Sequence, residues 1–209
     1  MKHFCAITQR YVILVSICLI PYGPLATKAS ALEEKDLRKL RSVGHCVECD
    51  LTEANFFQAD LEGRDLRGTD LVRSDIRQAN LQGIDLRGAF LMQSDLTASN
   101  LDSADFFMAN VSGAIFAYTN LHNVDFSKAK VLGVDFTGST LTRAHFYGAD
   151  VSRSKFLKTN LAEAYFFEAN LTDVDFSGAM IEGADFEGAI FCRTIMPWGR
   201  DDSDCVDDE

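Results

Sequence analysis

The chain has 209 residues, of which 47% are hydrophobic, so it is long enough for one domain of ordinary size with a core. It carries 31 acidic and 20 basic residues, for a formal net charge of -11 at pH 7. Such an excess of carboxylates disfavours binding to nucleic acid or to anionic membrane surfaces unless a local basic patch is present.

The first 31 residues predict a secretory signal peptide. Lys2 and Arg10 precede the apolar run YVILVSICLI, and the small-x-small pattern Ala29-Ser30-Ala31 follows. This order predicts export to the periplasm, another oxidising lumen or the extracellular space, with cleavage after Ala31. The alternative is an uncleaved membrane anchor, although the run is short for a bilayer span. Without residues 1–31, 17 basic and 31 acidic residues remain, a net charge of about -14.

Residues 32–48 predict a short cap at the N-terminal end. The segment ALEEKDLRKLRSVG has acids early, bases late and Gly44 at its end, which are start and stop signals of a helix. We expect its apolar side chains to lie over the open mouth of the segment that follows; these are Leu32, Leu37, Leu40 and Val43.

Four cysteines remain after the predicted cleavage, and they are Cys46, Cys49, Cys192 and Cys205. An even number in an exported chain indicates disulfides, with three possible connectivities. For Cys46 and Cys49 three interpretations compete. The pair closes the N-terminal end, or it is a catalytic redox pair without thioredoxin-like context, or it binds a metal with His45 although a second ligand pair is missing.

A strict repeat of five residues fills residues 49–193. Steps of five from Leu51 to Phe191 give 29 positions, all of them Leu, Phe, Ile or Val. Asp or Asn precedes this central residue in 20 repeats, and 11 of the 14 glycines stand two residues after it. Asp and Asn side chains bond backbone amides at turns, and glycine tolerates corner geometry.

A period of five fits neither a helix nor a flat strand. One short extended step and one corner, repeated four times, would bring the chain back above itself, with coils about 4.8 Å apart. The pattern therefore predicts an all-β solenoid of about seven coils, with the central hydrophobe and the small residue two before it pointing inward, and with capped ends. The period of 20 places phenylalanines in two opposing inner stacks, which are Phe106, Phe126, Phe146, Phe166 and Phe186, and Phe116, Phe136, Phe156 and Phe176.

Arg64 departs from the repeat, because it occupies an inward position that elsewhere holds a small residue. A long cation there must extend out to water or find a carboxylate. We expect a local distortion near the second coil.

Residues 194–209 predict a C-terminal loop and an acidic tail. Pro197, Trp198 and Gly199 form a turn, and a bond from Cys192 to Cys205 could hold a loop over the last coil. The final DDSDCVDDE has six acids in nine residues. It is most simply a solvated tail, with calcium or a basic partner as alternatives.

The pattern A-(D/N)-L-x-x over residues 49–193, about 70% of the chain, resembles the pentapeptide-repeat family. The resemblance implies a right-handed quadrilateral β-helix, and it says little about function because a solenoid is a scaffold. The end segments C-x-x-C-D-L and F-C-x-T-x-M-P-x-G are similar to those of exported members of the cyanobacterial type, although Trp198 stands where a turn acid is expected. This similarity implies the pairs Cys46 with Cys49 and Cys192 with Cys205.

The sequence contains no recognisable catalytic constellation. Its aspartates follow the turn spacing, and His122 and His145 stand on different faces. Phosphate-binding glycine loops, nucleophile motifs and H-E-x-x-H are absent. We therefore predict a protein that is not an enzyme and has no catalytic, cofactor-binding or metal-binding residues.

Apolar side chains stand at outward positions of the face centred on Phe106. The six residues are Phe107, Met108, His145, Tyr147, Tyr165 and Phe167. One interpretation is an aromatic ladder that stabilises pairing between coils. The other, which we predict, is a face that binds an unknown protein partner or a second copy of the chain.

The resulting hypothesis is a non-catalytic, secreted scaffold that binds neither nucleic acid nor, after signal cleavage, a membrane. The family resemblance implies a second hypothesis, because quinolone-resistance members resemble B-form DNA and bind DNA gyrase. The predicted export and the turn role of the aspartates argue against this DNA mimicry. A third hypothesis is a redox role for Cys46 and Cys49.

Overall fold

The computed structural model describes residues 31–205, with side chains described from residue 34 onward. The predicted signal peptide, except Ala31, and the last four residues of the acidic tail lie outside the described residues.

Helix α1, Ala31–Val43, precedes the repeat and is followed by Gly44, which has φ +82°. Leu40 is buried and Leu37 packs beside it against the first coil, as predicted, while the side chain of Leu32 lies outside the described part of the chain. The prediction for Val43 was wrong, since 65% of this residue is exposed. At about 100° per residue Val43 falls at the edge of the stripe formed by the two leucines, and the helix ends there.

The repeat forms a β-helix solenoid in which the backbone pairs with itself one turn later. Parallel bridges join residues 20 positions apart, four to a turn, from Asp50 with Asp70 to Asp175 with Ile195. From Leu51 to Phe176, the amide of each central residue donates to a carbonyl of the next turn, as from Leu51 N to Asp70 O at 2.8 Å. Ladder bonding begins at Cys46, whose amide donates to Asp65 O at 2.9 Å.

The corner of each repeat explains the phases of Asp, Asn and glycine. The residue two after each central hydrophobe has positive φ, for example 61° at Gly63 and 59° at Glu53. The Asp or Asn before the central residue accepts from the amide two residues later, as Asp125 Oδ1 does from Ser127 N at 2.7 Å. The Asp or Asn side chain and the glycine therefore both stabilise the turn at the corner of the repeat.

The core contains the two predicted phenylalanine stacks. Within one stack, the ring centroids of Phe106 and Phe126 are 4.8 Å apart with planes at 24°. Across the bore, Phe106 meets Phe116 at 5.9 Å with planes at 77°. Offset stacking along the axis and edge-to-face contact across it are both favourable ring geometries.

The backbone is regular at Arg64, so the predicted distortion was wrong. Arg64 N donates to Leu61 O at 3.2 Å, and Asp85 N donates to Arg64 O at 2.9 Å, as in other repeats. The half-buried side chain leaves the core beside Gly44, so closely that a Cβ there would overlap its guanidinium. This cation therefore lies near the C-terminal end of α1, where the helix dipole favours positive charge.

A hairpin of β1, Thr194–Met196, and β2, Gly199–Asp201, follows the repeat. The two strands pair antiparallel through the turn at Pro197 and Trp198. Strand β1 also continues the solenoid, since Ile195 N donates to Val174 O at 2.8 Å and Phe176 N donates to Ile195 O at 2.7 Å. The hairpin thereby covers part of the last turn.

Candidate interaction surface

The six predicted surface residues lie together on the solenoid face whose inner residues are Phe106, Phe126, Phe146 and Phe166. We call them the aromatic patch; it consists of Phe107, Met108, His145, Tyr147, Tyr165 and Phe167. Because 20 residues make one turn, positions 145 and 165, and positions 147 and 167, are neighbours on consecutive turns, while Phe107 and Met108 lie two turns before Tyr147.

Four rings of the aromatic patch form two stacked pairs. His145 and Tyr165 have centroids 4.8 Å apart with planes at 14°. Tyr147 and Phe167 have centroids 5.8 Å apart with planes at 21°. The ladder between coils that the sequence suggested therefore exists.

Lys128 joins Phe107 to the rest of the patch, a contact that sequence reasoning missed. Its Nζ lies 5.9 Å from the ring centroid of Phe107 and 5.9 Å from that of Tyr147. Ser127, on the turn between these rings, is only 8% exposed. Lys128 stands 20 residues from both Met108 and Gly148, so the register places it on the turn between them, whereas its contact with the rings depends on side-chain torsions. A cation at this distance from two rings is attracted by both.

The stacked rings remain accessible from solvent. Met108 is 61% exposed, Tyr147 41% and Tyr165 42%, while Phe107, His145 and Phe167 are half-buried. Stacking between turns and exposure of the outer ring surface are thus compatible on this face.

The earlier turns of the same face carry aspartates that arginines neutralise. Arg87 Nη2 lies 2.6 Å from Asp85 Oδ2, and its Nε lies 3.5 Å from Asp105 Oδ2 on the next turn. Arg67 pairs in the same way with Asp65, and its hydrogen bond lowers the pKa of that carboxyl. On the opposite face, Arg77 likewise pairs with its own turn aspartate.

Asp105 lies beside Phe107 of the aromatic patch, and its environment differs from that of Asp65. Burial raises the pKa of Asp105, and the charge of Asp125 on the next turn adds to that rise. Its Oδ1 accepts from Phe107 N at 2.9 Å, so the turn bond also positions an aromatic residue.

Several other exposed apolar residues escaped the sequence analysis. Trp198 in the hairpin turn is 73% exposed and Tyr118 at a corner is 68% exposed. Phe90 is 45% exposed and stands immediately before a central residue, where Asp or Asn is the rule. That break in the register was a usable signal for Phe90.

Both cysteine pairs implied by the family resemblance lie at disulfide distance. The Sγ atoms are 2.08 Å apart for Cys46 and Cys49, and 2.12 Å apart for Cys192 and Cys205. Cys46 and Cys49 are at most 3% exposed, so the pair is poorly accessible for thiol exchange. His45 Nδ1 accepts from Asp65 N at 3.4 Å.

A cavity of about 140 Å³ lies between α1 and the first turn. Its lining is mostly apolar and comprises Leu37, Leu40, Arg41, Asn55, Phe56, Ala59 and Leu61. Within residues 34–205 no group of three His, Cys, Asp or Glu residues is placed to hold a metal ion. In the part of the chain that the structure describes, α1 is too short and polar to cross a membrane, and no other helix qualifies.

A comparison of the chain with known protein families finds eight copies of the family described as "Pentapeptide repeats". The matched ranges are residues 49–88, 74–113, 104–143, 119–157 and 159–196. The comparison with curated proteins gave no match.

Three solved structures illustrate the similarity. One is HetL of the cyanobacterium Nostoc sp. strain PCC 7120, a pentapeptide repeat protein involved in heterocyst differentiation regulation. Its sequence is 23% identical, and the match covers 79% of this chain and 97% of HetL, with a TM-score of 0.48. Full-length QnrB1, a plasmid-mediated fluoroquinolone resistance protein, is 19% identical over 69% of this chain and 80% of its own, with a TM-score of 0.40. A pentapeptide repeat protein from the thylakoid lumen of Arabidopsis thaliana is 28% identical over 55% of this chain and 66% of its own, with a TM-score of 0.25.

Proposed function

Because the chain belongs to the pentapeptide-repeat family, we propose that it is a non-catalytic, exported scaffold, a rod of about seven coils that binds a partner protein through the aromatic patch. The observation that carries the proposal is the accessible cluster of rings on one face of a repeat whose outward positions are otherwise mostly polar. Clusters of this kind are typical of contact sites.

The geometry of the aromatic patch suits binding. The stacked pairs of His145 with Tyr165 and of Tyr147 with Phe167 are held by the backbone ladder beneath them. Rings that are already ordered lose little conformational entropy when a partner covers them. Aromatic residues also supply most of the binding energy at many interfaces.

Export is supported by two independent features. The sequence of residues 1–31 has the order of a signal peptide, and both cysteine pairs at disulfide distance are compatible with an oxidising compartment. The partner of the aromatic patch would then be an envelope, luminal or extracellular protein, or a second copy of the chain.

The test replaces three rings of the patch with serine, as Phe107→Ser, Tyr147→Ser and Phe167→Ser. The control variant, Phe57→Ser with Phe90→Ser, removes exposed rings from two other faces. We expect the patch variant alone to lose crosslinks from a photoreactive group at position 108 and to lose any dimer seen by light scattering. Unchanged crosslinks and an unchanged mass would contradict the proposal.

DNA mimicry is the second candidate, favoured by the acidic balance of a rod-shaped chain. Pairing of Asp65, Asp75 and Asp85 with arginines weakens it, because neutralised carboxylates imitate phosphates poorly. A supercoiling assay with DNA gyrase and residues 32–209 separates the candidates, since inhibition would favour mimicry.

A further inference from the structure

The last turn of the solenoid is open on two of its four faces. Ile181 and Phe186 are half-buried, whereas Leu161 and Phe166, their equivalents one turn earlier, are completely buried. Residues 190–196 cover the faces of Leu171 and Phe176, where Leu171 N donates to Ile190 O and Phe176 N donates to Ile195 O, and the other two faces stay uncovered. Apolar core residues are therefore accessible at this end of the rod.

Backbone groups at the same edge lack partners. One turn earlier, Leu161 N donates to Met180 O at 2.7 Å and Glu163 N donates to Glu182 O at 2.9 Å. Their counterparts on the last turn have no acceptor within residues 34–205; these amides belong to Ile181, Gly183, Phe186 and Gly188. An unpaired edge of this kind is a template for another strand.

The opposite end of the rod is closed. Leu40 of α1 is 4% exposed over the first turn, and Asp36 Oδ2 accepts from Asp50 N at 3.0 Å. A second copy therefore offers no open N-terminal edge onto which the last turn could stack head to tail.

The open edge is also strongly acidic. Glu182, Asp185 and Glu187 are exposed on the last turn, and Asp202 and Asp204 lie in the segment after the hairpin. Arg200, the cation of the hairpin, is already paired with Asp202 at 2.9 Å. Two such ends would repel each other, whereas a positively charged segment would be attracted.

We propose that this edge, residues 180–190, binds an extended basic segment of a partner protein by β-augmentation. Its amides and the carbonyls of Ala179 and Ala184 would pair with the segment's backbone as each turn pairs with the next. The segment would follow the spacing of the repeat, with a small residue, a central hydrophobe over Ile181 or Phe186, and Lys or Arg at the outward positions. This edge adjoins the aromatic patch, since Tyr165 pairs with Asp185, but it would bind through unpaired backbone groups rather than through the rings of the patch.

The experiment uses the chain of residues 32–209 and the decapeptide AKLRGAKFRG, which carries the repeat spacing with basic outward residues. We expect hydrogen exchange to slow at the amides of Ile181, Gly183, Phe186 and Gly188 when the peptide is added. The controls are a scrambled peptide of the same composition, KKAAGGRRLF, and the original sequence with alternate backbone amides N-methylated. Binding of either control with equal affinity would overturn the proposal.

Matched variants show which carboxylates contribute to the affinity for the peptide. Glu182→Gln with Glu187→Gln weakens peptide binding about three- to tenfold, the range expected for two exposed ion pairs. Glu48→Gln with Glu62→Gln, which removes two exposed carboxylates at the other end, leaves the affinity unchanged. The variant Phe107→Ser with Tyr147→Ser, whose changes lie at least two turns from the edge, binds the peptide normally, so that a failure of the aromatic patch is distinguishable from a failure of the edge.

Two results of the same exchange measurement would contradict the inference. Amides of residues 181–188 that are already protected in the free chain would show that the chain's own last residues, or a second copy, cover the edge. Protection at other turns instead of these four amides would show that the peptide binds by charge alone.

Discussion

The ring of Tyr118 lies directly over Gly138, its counterpart one turn later. A Cβ added at Gly138 would approach the ring atom Cε1 to 2.7 Å and Cδ1 to 2.8 Å. Gly138 also has φ +69°, so two constraints act at this corner. The contact shows that side chains at corners on consecutive turns can touch each other.

Replacement Gly138→Ala should therefore destabilise the solenoid by about 2 kcal/mol, from left-handed backbone strain and displacement of the Tyr118 ring. Gly133→Ala is the matched control, because its φ is +64° and a Cβ there meets nothing within 4 Å. The control should cost about 1 kcal/mol, measured by urea unfolding. Equal losses of stability in the two variants would contradict the steric contribution of Tyr118. When Tyr118→Ala is also present, Gly138→Ala should cost less stability.

Asp105→Asn should stabilise the protein at neutral pH. The pKa of Asp105 is raised by burial and by Asp125, so its ionised form weakens the folded state above that pKa. Asparagine keeps an acceptor for Phe107 N while it removes the charge. The gain should be on the order of 0.5 kcal/mol, because solvent screens this partly exposed group.

Asp75→Asn should have the opposite effect. Arg77 holds the pKa of Asp75 low through a side-chain hydrogen bond, so the ionised carboxylate stabilises the folded state above its unfolded pKa of about 3.9. That stability is lost as pH falls through the lower folded pKa. Thermal unfolding between pH 7 and about pH 2 should show a shallower acid loss in Asp75→Asn than in the unaltered chain. Identical profiles would contradict the ion pair.

Phenylalanines at the middle and at the open end of a stack should contribute unequally to the free energy of unfolding. Phe146 stacks on Phe126 and Phe166 and is completely buried, so Phe146→Ala should cost about 3–5 kcal/mol. Phe186→Ala should cost less, since Phe186 stacks on one side only, against Phe166, and is half-buried. Chemical denaturation measures both, and a larger loss at Phe186 would indicate that the last turn is covered in solution.

The fold could be predicted because one rule repeats. The period of five located the central residues, and the period of 20 located the phenylalanine stacks, since each turn copies its neighbour's geometry. Predictions from the repeat fail at the two ends of the solenoid, where the chain no longer follows the repeat. Val43 lies at a helix end, and the open edge at Ile181 and Phe186 depends on where a single non-repeating hairpin lies. Arg64 was misjudged because a long side chain can leave the core without moving the backbone.

The candidate surface was only partly predictable for a related reason. Outward positions follow from the register, so Tyr147 and Phe167 could be placed on one face from the sequence. The position of Lys128 between Phe107 and Tyr147 depends on side-chain torsions, which the register does not determine. Stacking distances likewise depend on ring tilt, and the centroids of Tyr147 and Phe167 are further apart than the spacing of about 4.8 Å between turns.

Export and cysteine pairing can be tested in one measurement, the intact mass and N-terminal sequence of the protein recovered from fractionated cells, with and without thiol alkylation. We expect a chain that begins at Leu32, lacks four thiol hydrogens and is found outside the cytoplasm. Cys192→Ser with Cys205→Ser should then lower the free energy of unfolding by about 3 kcal/mol. Cys46→Ser with Cys49→Ser should lower it by about 2 kcal/mol, because the bond between Cys46 and Cys49 closes a shorter loop. A full-length cytoplasmic chain with free thiols would contradict export and would favour DNA mimicry, since the protein would then share a compartment with gyrase.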